Sequence, residues 1–330
     1  MIGVTHLSEN LPPSLGVSIV VSAIVFGTPL VFAGIGELLA ERSGILNLGV
    51  EGMMLVGAVT AFWASQTLGG PTWMVLLLAV LVAAASGVVL SLIHAFVTIT
   101  LRANQIVSGL SLTIFAGIIG LSSYVGSIAH LGAKPGKHSF NDINVFGLKD
   151  APVVGPILFH QTAMVYASWV VVLLAALYLY RTRIGLYVRS VGEAPGAADA
   201  MGLNVTKYRY IHTLIGGALA GVGGAVFTLQ IATNWIDGMT AGAGWIAIAL
   251  VIFSFWRPEL LLLGAYLFGA FQGLGFDIQA RTSINIPTEF WSALPYIMTV
   301  VALVLVSVGS IKRRLGTPAA LGVPYIRGER

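Results

Sequence analysis

Glu51 is the only acidic residue more than a few positions inside an apolar stretch, with Asn47 four residues before it and Met54 three after. At helical spacing the three share a face. An ionisable group in apolar surroundings must be paired, protonated or wetted. Two uses fit Glu51: it lines a path for a polar solute, or it is a buried carboxylate that bonds Asn47 or a neighbouring helix and holds a bundle together. A second polar cluster, Arg102, Asn104, Gln105 and Ser108, stands at the start of another apolar run. Its amides can bind a polar solute, or cap a helix and tie it to its neighbours. His94 and His212 sit near the ends of apolar runs, with no second titratable group at helical spacing to make a proton relay.

Other chemistry finds little support. Cysteine is absent and no His/Asp/Glu cluster has metal-site spacing, so the sequence implies neither disulfide nor metal centre. HExxH, GxSxG and a GxGxxG after a strand do not occur, and Gly132 to Lys137 lacks the spacing of a phosphate-binding loop. We therefore expect no catalytic residues and no cofactor on this chain.

The elements that must position Glu51 are membrane helices. The chain of 330 residues is 57% hydrophobic and 9% charged, far below the roughly 25% charge of a soluble domain. A helix needs about 20 apolar residues to cross the hydrocarbon layer. Nine runs qualify, over 14–36, 44–66, 72–100, 103–128, 161–180, 211–233, 240–256, 259–277 and 291–311. The fold class expected is an all-α polytopic membrane protein. The net charge of +4 comes from basic residues in short segments between these runs, which reads as topology and not as a nucleic-acid surface. Placing the C-terminus inside and the N-terminus outside puts every Lys and Arg on the inner side except Lys134, Lys137, Lys149 and Arg281. The first 13 residues lack a basic region and end in Pro-Pro, so no cleaved signal peptide is expected.

Nine spans divide as four, one and four, and the single connector makes the two sets run in opposite directions, the arithmetic of an inverted repeat. Within one membrane domain, 1–330, the expected layout is an outer N-terminus (1–13), a first repeat (14–128), an outer loop (129–160), a connector helix (161–180), an inner loop (181–210), a second repeat (211–311) and an inner tail (312–330). Ser43 to Gly49 opens the second run and Asp237 to Gly244 the seventh, a faint echo between repeats. Gly217 with Gly221 and Gly269 with Gly273 have the spacing that lets helices approach closely. In the inner loop, Glu193 to Val205 reads as a short helix, with Pro195 near its start and Gly202 to Asn204 at its end. Too short to stand alone, it must pack on something, as a surface turn or as a docking helix.

The run Glu41-Arg42-Ser43-Gly44-Ile45-Leu46-Asn47-Leu48-Gly49-Val50-Glu51-Gly52-Met53-Met54 resembles the nucleoside and simple-sugar branch of the bacterial ABC importer permeases, relatives of the ribose and branched-chain amino-acid permeases. The likeness continues through 103–109, 182–186, 191–195 and 237–248 and covers about residues 14 to 310. It implies a multi-pass permease of the bacterial inner membrane that imports nucleosides or related sugar-containing solutes. Its implied partners are a second permease subunit, a cytoplasmic ATP-binding subunit that carries ATP and Mg, and an extracytoplasmic solute-binding protein. The resemblance makes 193–205 the coupling helix, with Glu193, Ala194, Pro195, Ala197, Ala198, Asp199 and Gly202 seated on the ATPase. Asn47, Glu51, Met54, Asn104, Gln105 and Ser108 are the candidate substrate path. From the helices alone, an ion-coupled secondary transporter of a small polar solute is the alternative.

Overall fold

The computed structural model describes residues 14–117, 120–281, 287–307 and 316–327, and these are mostly helical. In order, α1 is Leu15–Arg42, α2 Val50–Thr67, α3 Thr72–Ala95, α4 Gln105–Ala116, α5 Leu121–Ile128, α6 Ala163–Arg181, α7 Arg183–Glu193, α8 Pro195–Ala200, α9 Val205–Val226, α10 Ala243–Phe253, α11 Pro258–Arg281 and α12 Thr288–Ser307. Wider turns extend α3 through Thr100 and α9 through Ile231. The only sheet among the described residues pairs β1 (Asp142–Asn144) with β2 (His160–Thr162), antiparallel with Ile143 opposite Gln161.

Helix starts follow their caps. Ser14, Asn104, Thr162 and Asn204 each accept a backbone N–H of the first turn through a side-chain oxygen, which satisfies donors the helix cannot. Five helices among the described residues are long and apolar enough to cross a membrane: Leu15–Arg42, Thr72–Thr100, Gln105–Ile128, Ala163–Arg181 and Val205–Ile231. They differ in what surrounds them. Two-thirds of the α1 and α9 windows is buried, against one-third for α3 and α6, so α1 and α9 form the centre and α3 and α6 the rim. α9 packs on α1, α2 and α3, and α1 packs on α11.

Several boundaries differ from the sequence reading. α1 continues past residue 36 to Arg42, and Glu37 and Glu41, each 1% exposed, join Glu51 as buried carboxylates, as does Asp277 in α11. Glu51 is therefore not alone. The run read from residue 44 becomes helical only at Val50, because Gly44 adopts φ +92° and turns the chain. Asn47 thus precedes the helix and shares no helical face with Glu51 and Met54. Within the fourth run, α4 ends at Ala116 and α5 begins at Leu121, with residues 118–119 between them outside the described residues. The loop 129–160 holds the hairpin's first strand, and the connector helix begins at Ala163. Inside 181–210 lies a further helix, α7, and α9 starts at Val205. The N-terminus 1–13 and the tail residues Lys312, Arg313, Arg314 and Arg330 lie outside the described residues.

Candidate functional site

Glu51 sits in the first turn of α2, 6% exposed, and reaches across to α10. Its Oε1 accepts from Thr240 Oγ1 at 2.6 Å and Gly242 N at 2.9 Å, and its Oε2 accepts from Gly244 N at 2.7 Å. α10 needs this. Its N-cap is Gly242, at φ +79°, which has no side chain to accept the first free N–H groups. Glu51 supplies the acceptor from another helix, and a carboxylate at a helix N-terminus also meets the positive end of the dipole. Gly244 must be glycine for the contact to form, since a Cβ there would lie 2.5 Å from the Cα of Glu51. Met54, fully buried three residues on, faces α9: its methyl is 3.5 Å from where a Cβ on Gly223 would sit.

A second knot forms at the α1–α2 turn. Asn47 N donates to Glu37 Oε1 at 2.8 Å, and the Asn47 side chain accepts from Gly49 N at 3.0 Å. Leu46 is gripped from both sides. Its N donates to Gln105 Oε1 at 2.7 Å, and its carbonyl accepts from His94 Nε2 at 3.1 Å. With the proton on Nε2, His94 Nδ1 accepts from the Ser108 hydroxyl at 3.0 Å. Glu41 Oε2 accepts from Trp256 Nε1 at 2.5 Å, and Arg42 Nη2 donates to the Trp256 carbonyl at 3.0 Å. The turn before α2 is thereby joined to the end of α10.

Of the expected path residues, Asn104 and Ser108 line an open groove of about 540 Å³ together with His94, Ser111, Val107 and Phe115. Gln105 is buried behind it, holding Leu46. Asn47, Glu51 and Met54 are buried and are not among the groove's lining residues. Gln105→Ala is expected to cost about 1–2 kcal/mol by leaving the Leu46 N–H unpaired. Its uptake should fall less than threefold, about the size of such a local effect, as thermal unfolding and transport assays on one preparation will show.

The second group of expected residues surrounds α8. Ala198 is buried against Val191 and Val205, while Ala194, Gly196, Ala197 and Ala200 are exposed and Met201 is 84% exposed. Pro195 stands at the first helical position and Gly202, at φ +86°, ends the turn. Asp199 and Glu193 are both engaged by the chain's C-terminal segment: Arg327 Nε lies 3.0 Å from Asp199 Oδ2, and Ala319 N donates to Glu193 Oε2 at 3.2 Å.

Sequence reasoning missed Glu37, Glu41, Thr240, Gly242, Gly244 and the C-terminal segment as parts of these knots. One signal was present for α10. Thr-Ala-Gly-Ala-Gly before an apolar helix has two glycines and no capping side chain in register, which calls for an acceptor from elsewhere.

Residues 19–303 match the family described as the permease component of the branched-chain amino acid transport system. The putative glucose ABC transporter permease protein TsgC13 of Haloferax volcanii is 38% identical, over 91% of this chain and 94% of its own length. The guanosine ABC transporter permease protein NupQ of Bacillus subtilis is 37% identical, over 94% and 97%. A second permease from Bacillus subtilis, the guanosine ABC transporter permease protein NupP, is 28% identical, over 86% and 78%. The family match spans the Glu51–α10 knot, the α1–α2 turn and α8, and together with the relatives it displaces the ion-coupled alternative. The chain belongs to the branched-chain amino acid transport system permease family and is a membrane-embedded permease component of an ABC importer.

Proposed function

We propose that the chain is one of two unlike permease subunits that together import nucleosides, or related sugar-containing solutes, by alternating access driven by a separate ATPase. The observation that carries the solute class is the 37% identity to a guanosine permease over 94% of the chain. That two Bacillus subtilis guanosine permeases both match, at 37% and 28%, favours a paired assembly with a related, non-identical partner.

In this reading nine spans cross a bacterial inner membrane. They are α1, α2, α3, the α4–α5 pair, α6, α9, α10, α11 and α12, arranged as a four, one and four inverted repeat. The N-terminus is outside and α8 inside, which follows the bias of Lys and Arg. The solute passes the groove of Asn104 and Ser108. Behind it Gln105, Asn47 and Glu51 hold the turns that rearrange, and Met54 packs α2 on α9. A solute-binding protein delivers from outside. ATP with Mg binds on the ATPase, whose closure biases the permease pair between its two states.

α8 is the ATPase docking element in this reading, through its exposed small-residue face and Met201. Ala197→Arg is expected to lower the ATPase retained on affinity-purified permease at least about fivefold, since a long charged side chain on a close-packed small-residue face must clash or stay desolvated. The decisive assay is co-purification from the native membrane with identification of bound chains, followed by uptake of labelled guanosine and glucose. An ATPase, a second permease and guanosine uptake that excess glucose leaves intact are the expected results. A permease purifying without an ATPase would end the reading, and glucose uptake alone would move the solute class to sugars.

A further inference from the structure

The C-terminal segment Gly316 to Arg327 folds back over the protein and touches four separate elements. Ala320 N donates to the Gly192 carbonyl at 2.9 Å and Ala319 N to Glu193, which holds the end of α7. Arg327 pairs with Asp199 in α8, and Tyr325 packs on the buried cluster of Val191, Ala198 and Val205. On its other side Gly322 N donates to the Gly44 carbonyl at 3.3 Å, and Arg42 Nη1 donates to the Gly316 carbonyl at 3.2 Å. Arg209 of α9, 2% exposed, donates from Nη1 to the Val323 carbonyl at 3.1 Å and has no carboxylate partner among the described residues. A buried guanidinium needs its acceptors, so a folded chain holds this segment in place.

We propose that residues 316–327 are a transmission strap that links the docking helix α8 to the α1–α2 turn and, through it, to α10. The proposal rests on the reading of α8 as the ATPase seat. α8 alone is six residues long, covalently tied to α7 and α9 and packed on them through Ala198. The α7 backbone at Gly192 packs against the Arg42 carbonyl, at the start of the turn that carries Asn47, and the strap adds hydrogen bonds to that turn. From α8 the bonded chain runs through Asp199 and Arg327, then Gly322 and Gly44, to the turn where Glu37 holds Asn47 and where Arg42 and Glu41 hold Trp256 at the end of α10. A push on α8 is delivered through this strap to the turn before α2, which carries Glu51, and at Trp256 to the end of α10 opposite the Glu51 knot. Without it the ATPase can still bind the exposed face of α8, but the motion reaches the turn through the packing of α7 and α9 and without the strap's hydrogen bonds.

The importer is reconstituted in liposomes with its ATPase, partner permease and binding protein, and nucleoside uptake and phosphate release are measured in the same vesicles. Arg327→Glu repels Asp199 yet removes only an exposed ion pair, so insertion and ATPase retention should persist. It is expected to lower solute moved per ATP by about threefold, with Arg327→Lys near wild type. Gly322→Val, strained at φ +77° with open space around it, and deletion of 316–330 should lower the ratio by about tenfold. An unchanged ratio in Arg327→Glu would overturn the strap, and so would uptake and hydrolysis falling together at a constant ratio, which a merely supporting role produces. Should the deletion fail to insert, the ratio in Arg327→Glu decides. Ala197→Arg separates the two ideas: if it retains the ATPase, the docking reading fails and the strap with it, whereas loss of the ATPase with a normal ratio in Arg327→Glu overturns the strap alone.

Discussion

Glu51→Ala is expected to lower uptake at least about tenfold and to destabilise the purified permease by about 3 kcal/mol, from the loss of buried charge-assisted bonds. The carboxylate accepts three hydrogen bonds at 2.6, 2.9 and 2.7 Å, all from the segment that starts α10. Removing it leaves the Thr240 hydroxyl and the N–H groups of Gly242 and Gly244 without acceptors, each costing about 1–3 kcal/mol when buried. Desolvation of the carboxylate itself offsets part of this, which is why the sum is held well below the additive limit. In a domain of this size the loss appears as a fall of roughly 5 °C in unfolding temperature.

The substitutions around it should rank. Glu51→Gln keeps one acceptor oxygen but turns an NH2 toward N–H donors, so it should retain more function than alanine. Glu51→Asp draws both oxygens back by one methylene, about 1.5 Å, enough to break bonds of this length. Thermal unfolding followed by size-exclusion chromatography, beside uptake in liposomes, tests both the rank and the cause. Loss of uptake with unaltered unfolding temperature would sink the structural account and make Glu51 a lining residue; parallel loss supports its role at α10.

How much of this was legible in the sequence depends on what carried each contact. The helix read at 161–180 and observed at Ala163–Arg181 was plain because an apolar run is bounded by Thr162 and Arg181, a cap and a charge. The last turns of α1 were not, because Glu37 and Glu41 read as the polar end of a span. They stay helical because Asn47 N and Trp256 Nε1, from distant segments, meet their oxygens. α7 was hidden for a related reason: with Arg183, Arg189 and Glu193 among its residues, it reads as loop until its buried side, Gly185, Val188, Val191 and Gly192, finds neighbours.

The strap was the least legible part. Gly316, Pro318, Gly322 and Pro324 have the composition of a linker, and apart from Tyr325 and Arg327, which both meet Asp199, its bonds are made by backbone groups. Side-chain patterns carry no record of such contacts. Glu51 is the opposite case. Its charge in an apolar run announced a partner, and only the partner's identity, three groups at the start of α10, required the fold.

Gly57→Val is expected to remove most of the folded protein, with Gly69→Ala as a silent control. A Cβ at Gly57 would lie 2.6 Å from the Cα of Gly221 on α9, against backbone that cannot rotate away, whereas a Cβ at Gly69 meets nothing within 4 Å. α9 is crowded on all sides in this way. Gly216 faces the backbone of Gly36 on α1, Gly217 faces Gly87 and Ser91 on α3, Gly223 faces Pro29 on α1, and Gly224 faces Met54 on α2. Membrane helices gain little from burying apolar surface against one another, so they associate through close backbone contact at small residues. Overpacking one such contact costs about 1–3 kcal/mol where side chains can yield, and more where only backbone is opposed. The effect should therefore fall on assembly, read as the monodisperse fraction in size-exclusion chromatography. If Gly57→Val stays monodisperse and transports normally, α2 and α9 are not in contact at this point, and the anchoring of α10 through α2 loses its support as well, since Glu51 and Gly57 belong to one helix.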